Sequence, residues 1–354
     1  MISLSKPIIE KEEIAAVVKV LESGNLAQGK VTEEFEKQLA TYLGYKYAIA
    51  TSNGTTALHV ALAGLNFASG EVISPDFTFI ATANAPKFVG ARPIFADVDV
   101  SSFNLSAASV KKMRSSSTKA IIPVSLYGLP YDVDAIKEVA GDVPIISDNC
   151  QAIGARYKGN RNFGDSCAVL SFYPTKNMTT GEGGAILTGN EEIAEQCKLI
   201  RSHGMRNRYE YLRLGYNFRL TDIAAAIGIE QLKKLDGWTE KRRQNAKMLI
   251  ELLGSVKWIV LPELVDGHVF HQFTIRVLNG KRDALKTHLE KNGIGCAVYY
   301  PAPLHSLPLF STERHDNCIT TEKLSKEVLS IPVNPMLSKE DIATIAYAII
   351  SFNV

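Results

Sequence analysis

The stretch that decides how this chain reads is Ser171–Ala185, SFYPTKNMTTGEGGA. Its single lysine, Lys176, stands between an apolar run ending at Phe172 (CAVLSF, 167–172) and a glycine-rich return (GEGG, 181–184). A lysine where a buried strand gives way to a turn is either a solvated charge or a deliberately placed amine, and most lysines are solvated. Two other places favour the placed amine. Asp148 ends the apolar run VPIISD (143–148), and Gly54-Thr55 opens a helix in TSNGTTALHVAL (51–62). An amine, an acid and a phosphate-cradling turn are the fixed points of a pyridoxal phosphate site.

The surrounding pattern supplies a scaffold for such a site. YAIA (47–50), EVISP (71–75), PIFADV (93–98), KAIIPVSL (119–126) and VPIISD read as strands. Between them lie helical stretches at 55–65, 79–89, 106–114 and 132–140, with Pro86 shortening or bending the second. Strands alternating with helices imply a mostly parallel sheet covered on both faces. CAVLSF and GAILTG (184–189) follow each other closely, which suggests an antiparallel strand in the last part of that sheet. Upstream, Ile14, Val17, Val18 and Leu21 predict a helix burying that face and stopping at Gly24. Phe35, Leu39 and Leu43 predict a second, stopped by Gly44. A long helix begins after Thr221, a plausible N-cap, and reaches Leu253 with a break near Asp236-Gly237. The domain boundary is placed there: residues 1–236 form a large domain with an N-terminal helical arm, and 237–354 a smaller α+β domain. In that second part HVFHQFTIRV (268–277) and GIGCAVYY (293–300) read as strands. Residues 281–291, 321–330 and 339–352 read as helices, the last capped by Ser338.

Composition narrows the function. The 354 residues carry 39 basic and 37 acidic side chains, a net charge of +2, so there is no electrostatic footprint for nucleic acid or a membrane surface. No apolar run reaches transmembrane length and the N-terminus lacks a signal peptide's hydrophobic region, so a cytoplasmic protein is expected. The five cysteines, at 150, 167, 197, 296 and 318, are scattered without a CxxC pair, and neither a metal site nor a disulfide framework is expected. His268 and His271 bracket a strand without a nearby acid, and His59 and His203 read as structural.

Each candidate has a chemical reason. Gly54 lets the backbone approach a phosphate at a helix N-terminus, and Thr55 adds a hydroxyl. Read alone, the same turn is an ordinary helix start capped by Ser52 or Asn53. Asp148 opposite a pyridine nitrogen would keep it protonated; otherwise it is a loop-bonding aspartate. Lys176, partly desolvated, would have a depressed pKa, form an imine with an aldehyde, and afterwards carry a proton. Ser171, at the end of the entering strand, is placed to bond the phosphate.

Taken together with GKVTEEFEKQLATYLG, SPDFTFIATANA, DNCQAIGA, LGYNFRLTDIAAA and YYPAPLH, these motifs resemble the DegT/StrS family of PLP-dependent sugar aminotransferases, of the aspartate-aminotransferase-like fold type I. The similarity is strongest from Pro7 to Leu235. It implies that Lys176 holds the cofactor, Asp148 pairs with the ring nitrogen, and Gln151 bonds the phenolic oxygen. It also implies that Phe79 stacks on the ring, and that Gly54, Thr55 and Ser171 hold the phosphate. Asn217, in GYNFR, would reach the phosphate of a neighbouring subunit, which implies a homodimer with shared sites. Tyr300 and His305, around the PAPLH turn, match a region that contacts the nucleotide-sugar, while Glu182, beside the lysine, is either structural or a sugar contact. The implied activity is transfer of an amino group to a nucleotide-linked keto-sugar, with L-glutamate as donor; no motif marks the group that grips the donor's carboxylate, for which Arg219 and Arg276 are the arginines to test. A dehydratase branch of the family carries histidine where Lys176 stands, which disfavours that reaction here. A non-catalytic regulator of the same fold, or transamination of a non-sugar ketone, is the alternative.

Overall fold

The structure is a computed structural model and describes residues 1–66, 69–164 and 166–352. In chain order its elements begin with α1 (Lys11–Ser23), α2 (Lys30–Leu43), β1 (Tyr47–Thr51), α3 (Gly54–Gly64), β2 (Glu71–Pro75), α4 (Ile80–Phe88) and β3 (Arg92–Ala96). Then come α5 (Ala107–Met113), β4 (Thr118–Ile121), α6 (Val133–Ala140), β5 (Ile146–Asp148), β6 (Cys167–Ser171), β7 (Gly184–Thr188) and α7 (Glu191–Arg201). A small hairpin, β8 (Met205–Asn207) and β9 (Glu210–Tyr211), precedes α8 (Asp222–Leu253). The chain ends with β10 (Ile259–Val260), β11 (Phe273–Val277), α9 (Arg282–Lys291), α10 (Ile319–Glu327), β12 (Val328–Ile331) and α11 (Lys339–Ile350).

The strands of the first part line up as β1-β7-β6-β5 and β3-β2-β4. Parallel bridges Ile121–Ile145 and Val124–Asp148 join the two sets side by side. Within this surface β7 alone runs antiparallel to its neighbours, pairing Gly184 with both Thr51 and Ser171. Both faces are buried, as expected of strands that read as near-continuous apolar runs. On one face Leu58, Ala61 and Leu62 of α3 pack on Val72, Ile146, Val169 and Ile186. On the other, Phe35 and Leu39 of α2 and Leu232 and Leu235 of α8 pack on Ala48, Ala50, Leu170 and Leu187. The anchoring of α3 matters for the site at its N-terminus: truncating fully buried Leu58 to alanine would cost about 2–5 kcal/mol and loosen that seat. The second core gathers Leu249 and Leu253 of α8 around the antiparallel sheet β10-β11-β12, closed by Leu285 and Leu289 of α9 and Ile345 and Ile349 of α11.

Four local expectations give way to tertiary forces. The apolar stripe of α1 faces outward, with Ile14 58% exposed and Val18 and Leu21 also exposed. What α1 buries is Glu13 and Val20, because Lys234 and Gln231 on α8 bind the Glu13 carboxylate. The break at Asp236-Gly237 is absent, since a single glycine costs a 32-residue helix only about 1 kcal/mol. Asp236 is moreover held by Tyr42 and Arg161, so α8 runs unbroken from the first core into the second. The helix predicted at 321–330 ends at Glu327, and Val328–Ile331 becomes a fully buried strand against β11. The predicted strand 293–300 reduces to isolated bridges at Ile294 and Ala297, one of which ties the N-terminal Ile2 to the second core.

Candidate active site

The ends of β1, β5 and β6 and the start of β7 meet at one edge of the sheet, and the expected residues sit there. The α3 N-terminus is fixed by a capping box: Asn53 accepts from the Thr56 amide at 2.9 Å, and Thr56 Oγ1 accepts from the Asn53 amide. The amides of Gly54 and Thr55 have no acceptor within the helix and face outward from its first turn. Side chains are excluded from this corner. A Cβ on Gly54 would lie 2.8 Å from Ser171 Cβ and 3.2 Å from Cys150 Sγ, and one on Gly184 would lie 2.4 Å from the Asn53 carbonyl oxygen. A bare backbone corner under a helix N-terminus, with the Ser171 hydroxyl beside it, is a seat for a phosphate.

Asp148, only 4% exposed, is held by two donors. Thr82 Oγ1 donates to Oδ2 at 2.9 Å and the Cys150 amide to Oδ1 at 3.2 Å. Lys176 lies in the turn after β6, half-buried, with its own amide bonded to the Tyr173 carbonyl. Its ammonium makes no hydrogen bond or ion pair among the described residues. Burial pushes its pKa down, and the nearby Cys150 and Asp148 oppose that only partly. Asp148, Cys150 and Lys176 are close enough to influence one another's charge. The geometry therefore supplies the carboxylate, the amine and the anion seat that pyridoxal phosphate requires, in one place.

The other residues divide. Gln151 accepts from the Tyr127 amide (2.8 Å) and donates to the Tyr300 hydroxyl (3.1 Å). Tyr300 in turn lies edge-on to Phe77 and 6.2 Å from the ring of Phe79, which is 55% exposed. Phe79, Gln151 and Tyr300 thus form one wall. His305 is held away from it by Asp76, which accepts from His305 Nδ1 at 2.6 Å and from its amide at 2.8 Å. Glu182 and Asn217 are exposed and bond no residue of this pocket; the segment of Asn217 runs beside Ser52, whose amide binds the Phe218 carbonyl. Arg276 is committed to Glu327 at 2.8 Å, whereas Arg219 bridges Thr51 through its backbone and leaves its guanidinium unbonded among the described residues.

Sequence reading missed several supports. Thr82 lies in the quoted FIATAN run, but nothing in its spacing announces that it orients Asp148. Asp76, fully buried, sits in SPDFTF and anchors the distant turn at His305. His271, which the sequence marks only as bracketing a strand, is buried beside Asn177, with Nδ1 3.3 Å from Asn177 Oδ1; burial and the nearby Lys176 ammonium hold its pKa well down. Only the neighbour of Lys176 in sequence, Asn177, hinted that this ring belongs to the lysine's surroundings.

Comparison with known proteins identifies the family. Residues 7–350 match the model of the DegT/DnrJ/EryC1/StrS aminotransferase family. A "pleiotropic regulatory protein" of Geobacillus stearothermophilus is 41% identical over 345 residues, covering 93% of this chain and 91% of that one. A UDP-N-acetyl-3-dehydro-alpha-D-glucosamine 3-aminotransferase of Acidithiobacillus ferrooxidans is 38% identical over 349 residues, covering 96% and 94%. Among solved structures, S. venezuelae DesV in complex with a ketimine intermediate superposes with a TM-score of 0.92 at 35% identity, covering 96% of this chain and 93% of that one. No helix among the described residues is long and apolar enough to cross a membrane. With an amine, a carboxylate and a bare anion seat converging at one sheet edge, the chain belongs to the DegT/DnrJ/EryC1/StrS family of pyridoxal phosphate-dependent aminotransferases.

Proposed function

We propose that the protein transfers the amino group of L-glutamate to a nucleotide-linked keto-sugar. The observation that carries this reading is the unpaired, half-buried Lys176 ammonium in the same pocket as Asp148 and the Gly54 corner. Relatives named for UDP-, dTDP- and GDP-linked sugars support the substrate class. Bound pyridoxal phosphate supplies the aldehyde for imine exchange and a ring that delocalises an electron pair. Gly54, Thr55 and Ser171 would hold its phosphate, Asp148 would keep the ring nitrogen protonated, and Phe79 would stack on the ring. Lys176 Nζ, a weaker base than an ordinary lysine, would hold the cofactor by its aldehyde, give up that bond to the donor's amine, and as the freed amine accept the donor's α-proton and, in the second half, supply a proton to the carbon that was the ketone. Arg219, with its free guanidinium, is the better candidate for gripping the donor carboxylate. Tyr300, tied to Gln151, borders the sugar. Glu182, exposed beside the lysine turn, is assigned the outer part of the sugar.

We read the working unit as a homodimer in which Asn217 serves the partner's phosphate. Its exposure and lack of bonds to its own pocket support this, as does the outward apolar stripe of α1. Mixing a Lys176→Ala protein with an Asn217→Ala protein tests it: regained activity in mixed dimers is expected, and none would remove the shared site. For the reaction itself, the purified protein should be yellow, and glutamate alone should bleach it with release of one 2-oxoglutarate per chain. A panel of nucleotide-keto-sugars should then restore the colour. The regulatory name of one relative favours a second reading, a protein that binds cofactor without turnover; colour that persists under excess glutamate would select it.

A further inference from the structure

Away from the lysine pocket, one short stretch, residues 305–318, brings three metal-binding side chains together. His305, His315 and Cys318 each place a ring nitrogen or sulfur so that the three atoms lie within 4.8 Å of one another. The two imidazole rings stack at 4.4 Å and 15°. The three come from separately anchored pieces of chain. His305 follows Leu304, whose amide binds the Asp76 carbonyl at 3.1 Å. His315 pairs as a bridge with Phe95 at the end of β3. Cys318, fully buried, is the N-cap residue of α10.

The bonds around the rings fix what each has to offer. An Asp76 carboxylate oxygen and the Asp316 carbonyl can only accept, so Nδ1 of His305 and Nδ1 of His315 (both 2.6 Å) donate to them. In both neutral rings the lone pair then resides on Nε2. A carboxylate or carbonyl behind a ligating histidine is the usual outer support of a zinc site. Glu322, one turn into α10, has Oε1 4.0 Å from His305 Nε2, where a fourth ligand or a water belongs. Asp76, Asp97 and Asp316 lie near the thiol, Asp316 being paired with Lys112.

We propose that His305, His315 and Cys318 bind a zinc ion, with Glu322 or water as fourth ligand. Two imidazoles and a thiolate are a zinc set rather than a magnesium or calcium set. Tetrahedral bonds of about 2.0–2.3 Å need donors about 3.3–3.7 Å apart, so the stacked rings, whose donors now lie within 4.8 Å, would have to turn toward the ion on binding. On binding, the Cys318 S–H bond breaks, its proton leaves to buffer, and the sulfur pair forms the S–Zn bond. The ion would cross-link the two ends of residues 305–318 to each other at the start of α10, directly after the turn carrying Tyr300. This assigns His305 to the metal rather than to the sugar, and it stands independently of the transamination reading.

The test uses the full-length, cofactor-loaded protein, dialysed against chelator. Calorimetry with zinc should give one ion per chain. Cobalt should give a sulfur-to-metal charge-transfer band and the intense visible bands of tetrahedral coordination. Cys318→Ser should abolish the charge-transfer band. Asp76→Asn should keep the band but weaken metal binding about 10–100-fold. Should Cys318→Ser fail to fold, His315→Ala removes an exposed ring, and it should lower zinc affinity at least about 100-fold. Substoichiometric zinc, a cobalt band surviving Cys318→Ser, or unchanged affinity in His315→Ala would overturn the assignment.

Discussion

Two lysines show what this fold can do with one side-chain type. Lys234 on α8 is surrounded by carboxylates: Glu10 at 2.8 Å, Glu12 at 3.3 Å and both oxygens of Glu13 at 2.8 and 2.9 Å. Partial burial works against its charge, but these bonds outweigh burial and raise its pKa. Lys176 is desolvated too, yet no carboxylate bonds it, and its pKa falls. The lesson is that a reactive amine is made by withholding partners from a desolvated lysine. Lys234 is a fastener for α1. Lys176 is a cation that the apoprotein tolerates at a cost, because a neutral amine is what the chemistry uses.

The largest effect that separates them is on turnover. Lys176→Ala should lose at least about 10³-fold in the glutamate half-reaction, since both the covalent anchor and the proton carrier go. Circular dichroism and melting should be near wild type, and activity within tenfold of wild type would show the amine misassigned. Lys234→Met should do the reverse. Loss of the cation leaves buried Glu13 with Gln231 as its remaining side-chain donor, costing roughly 1–3 kcal/mol after allowance for the partly exposed partners. Glutamate turnover per folded molecule should be unchanged. A chemical-denaturation midpoint equal to wild type would show that the cluster contributes nothing.

The same contrast explains what was legible in the sequence. Strand-end residues at 54, 148, 171 and 176 could be placed because open α/β sheets put ligands beyond strand ends and because apolar runs mark where strands stop. The site supports that sequence reading missed act through partners far along the chain: Thr82 reaches Asp148, Asp76 reaches His305, His271 reaches Asn177; so does the fastener of α1, Lys234, which reaches Glu13. Local periodicity carries no record of such partners. That is also why Ile14, Val18 and Leu21 were expected inside, when an ion pair, not the apolar stripe, decides which face of α1 meets α8. In the second part, the strand Val328–Ile331 continues directly from α10, and no turn residue separates the two periods.

A smaller effect probes the acid side of the pocket. Thr82→Val removes one of two donors to Asp148 while keeping its shape. Loss of one such bond is worth about 1–1.5 kcal/mol, or roughly 5- to 15-fold in kcat, with little change in KM for glutamate. Serine at 82 should restore most of it, and a valine variant with full kcat would remove Thr82 from the positioning of Asp148.

The smallest effect is a pH dependence, and its sign differs between the two lysines. In the apoprotein the Lys176 pKa is below its unfolded value, so the folded state binds fewer protons than the unfolded state between those two pKa values. The burden of the buried cation is full below the folded pKa and fades as pH rises toward the unfolded one. Apo Lys176→Met should therefore melt above apo wild type at neutral pH, and the gap should shrink in alkali. For the Lys234 cluster the titrating partner at accessible pH is Glu13. Burial alone would raise its pKa, but the bonds from Lys234 and neighbouring donors outweigh burial and lower it. The stability that Lys234 confers is present above the ordinary glutamate range and is lost as acid protonates Glu13. The gap between wild type and Lys234→Met should accordingly shrink in acid. Paired melts of both variants across the pH range read the two trends, and a Lys176→Met gap that widened with rising pH would mean that burial does not depress the amine.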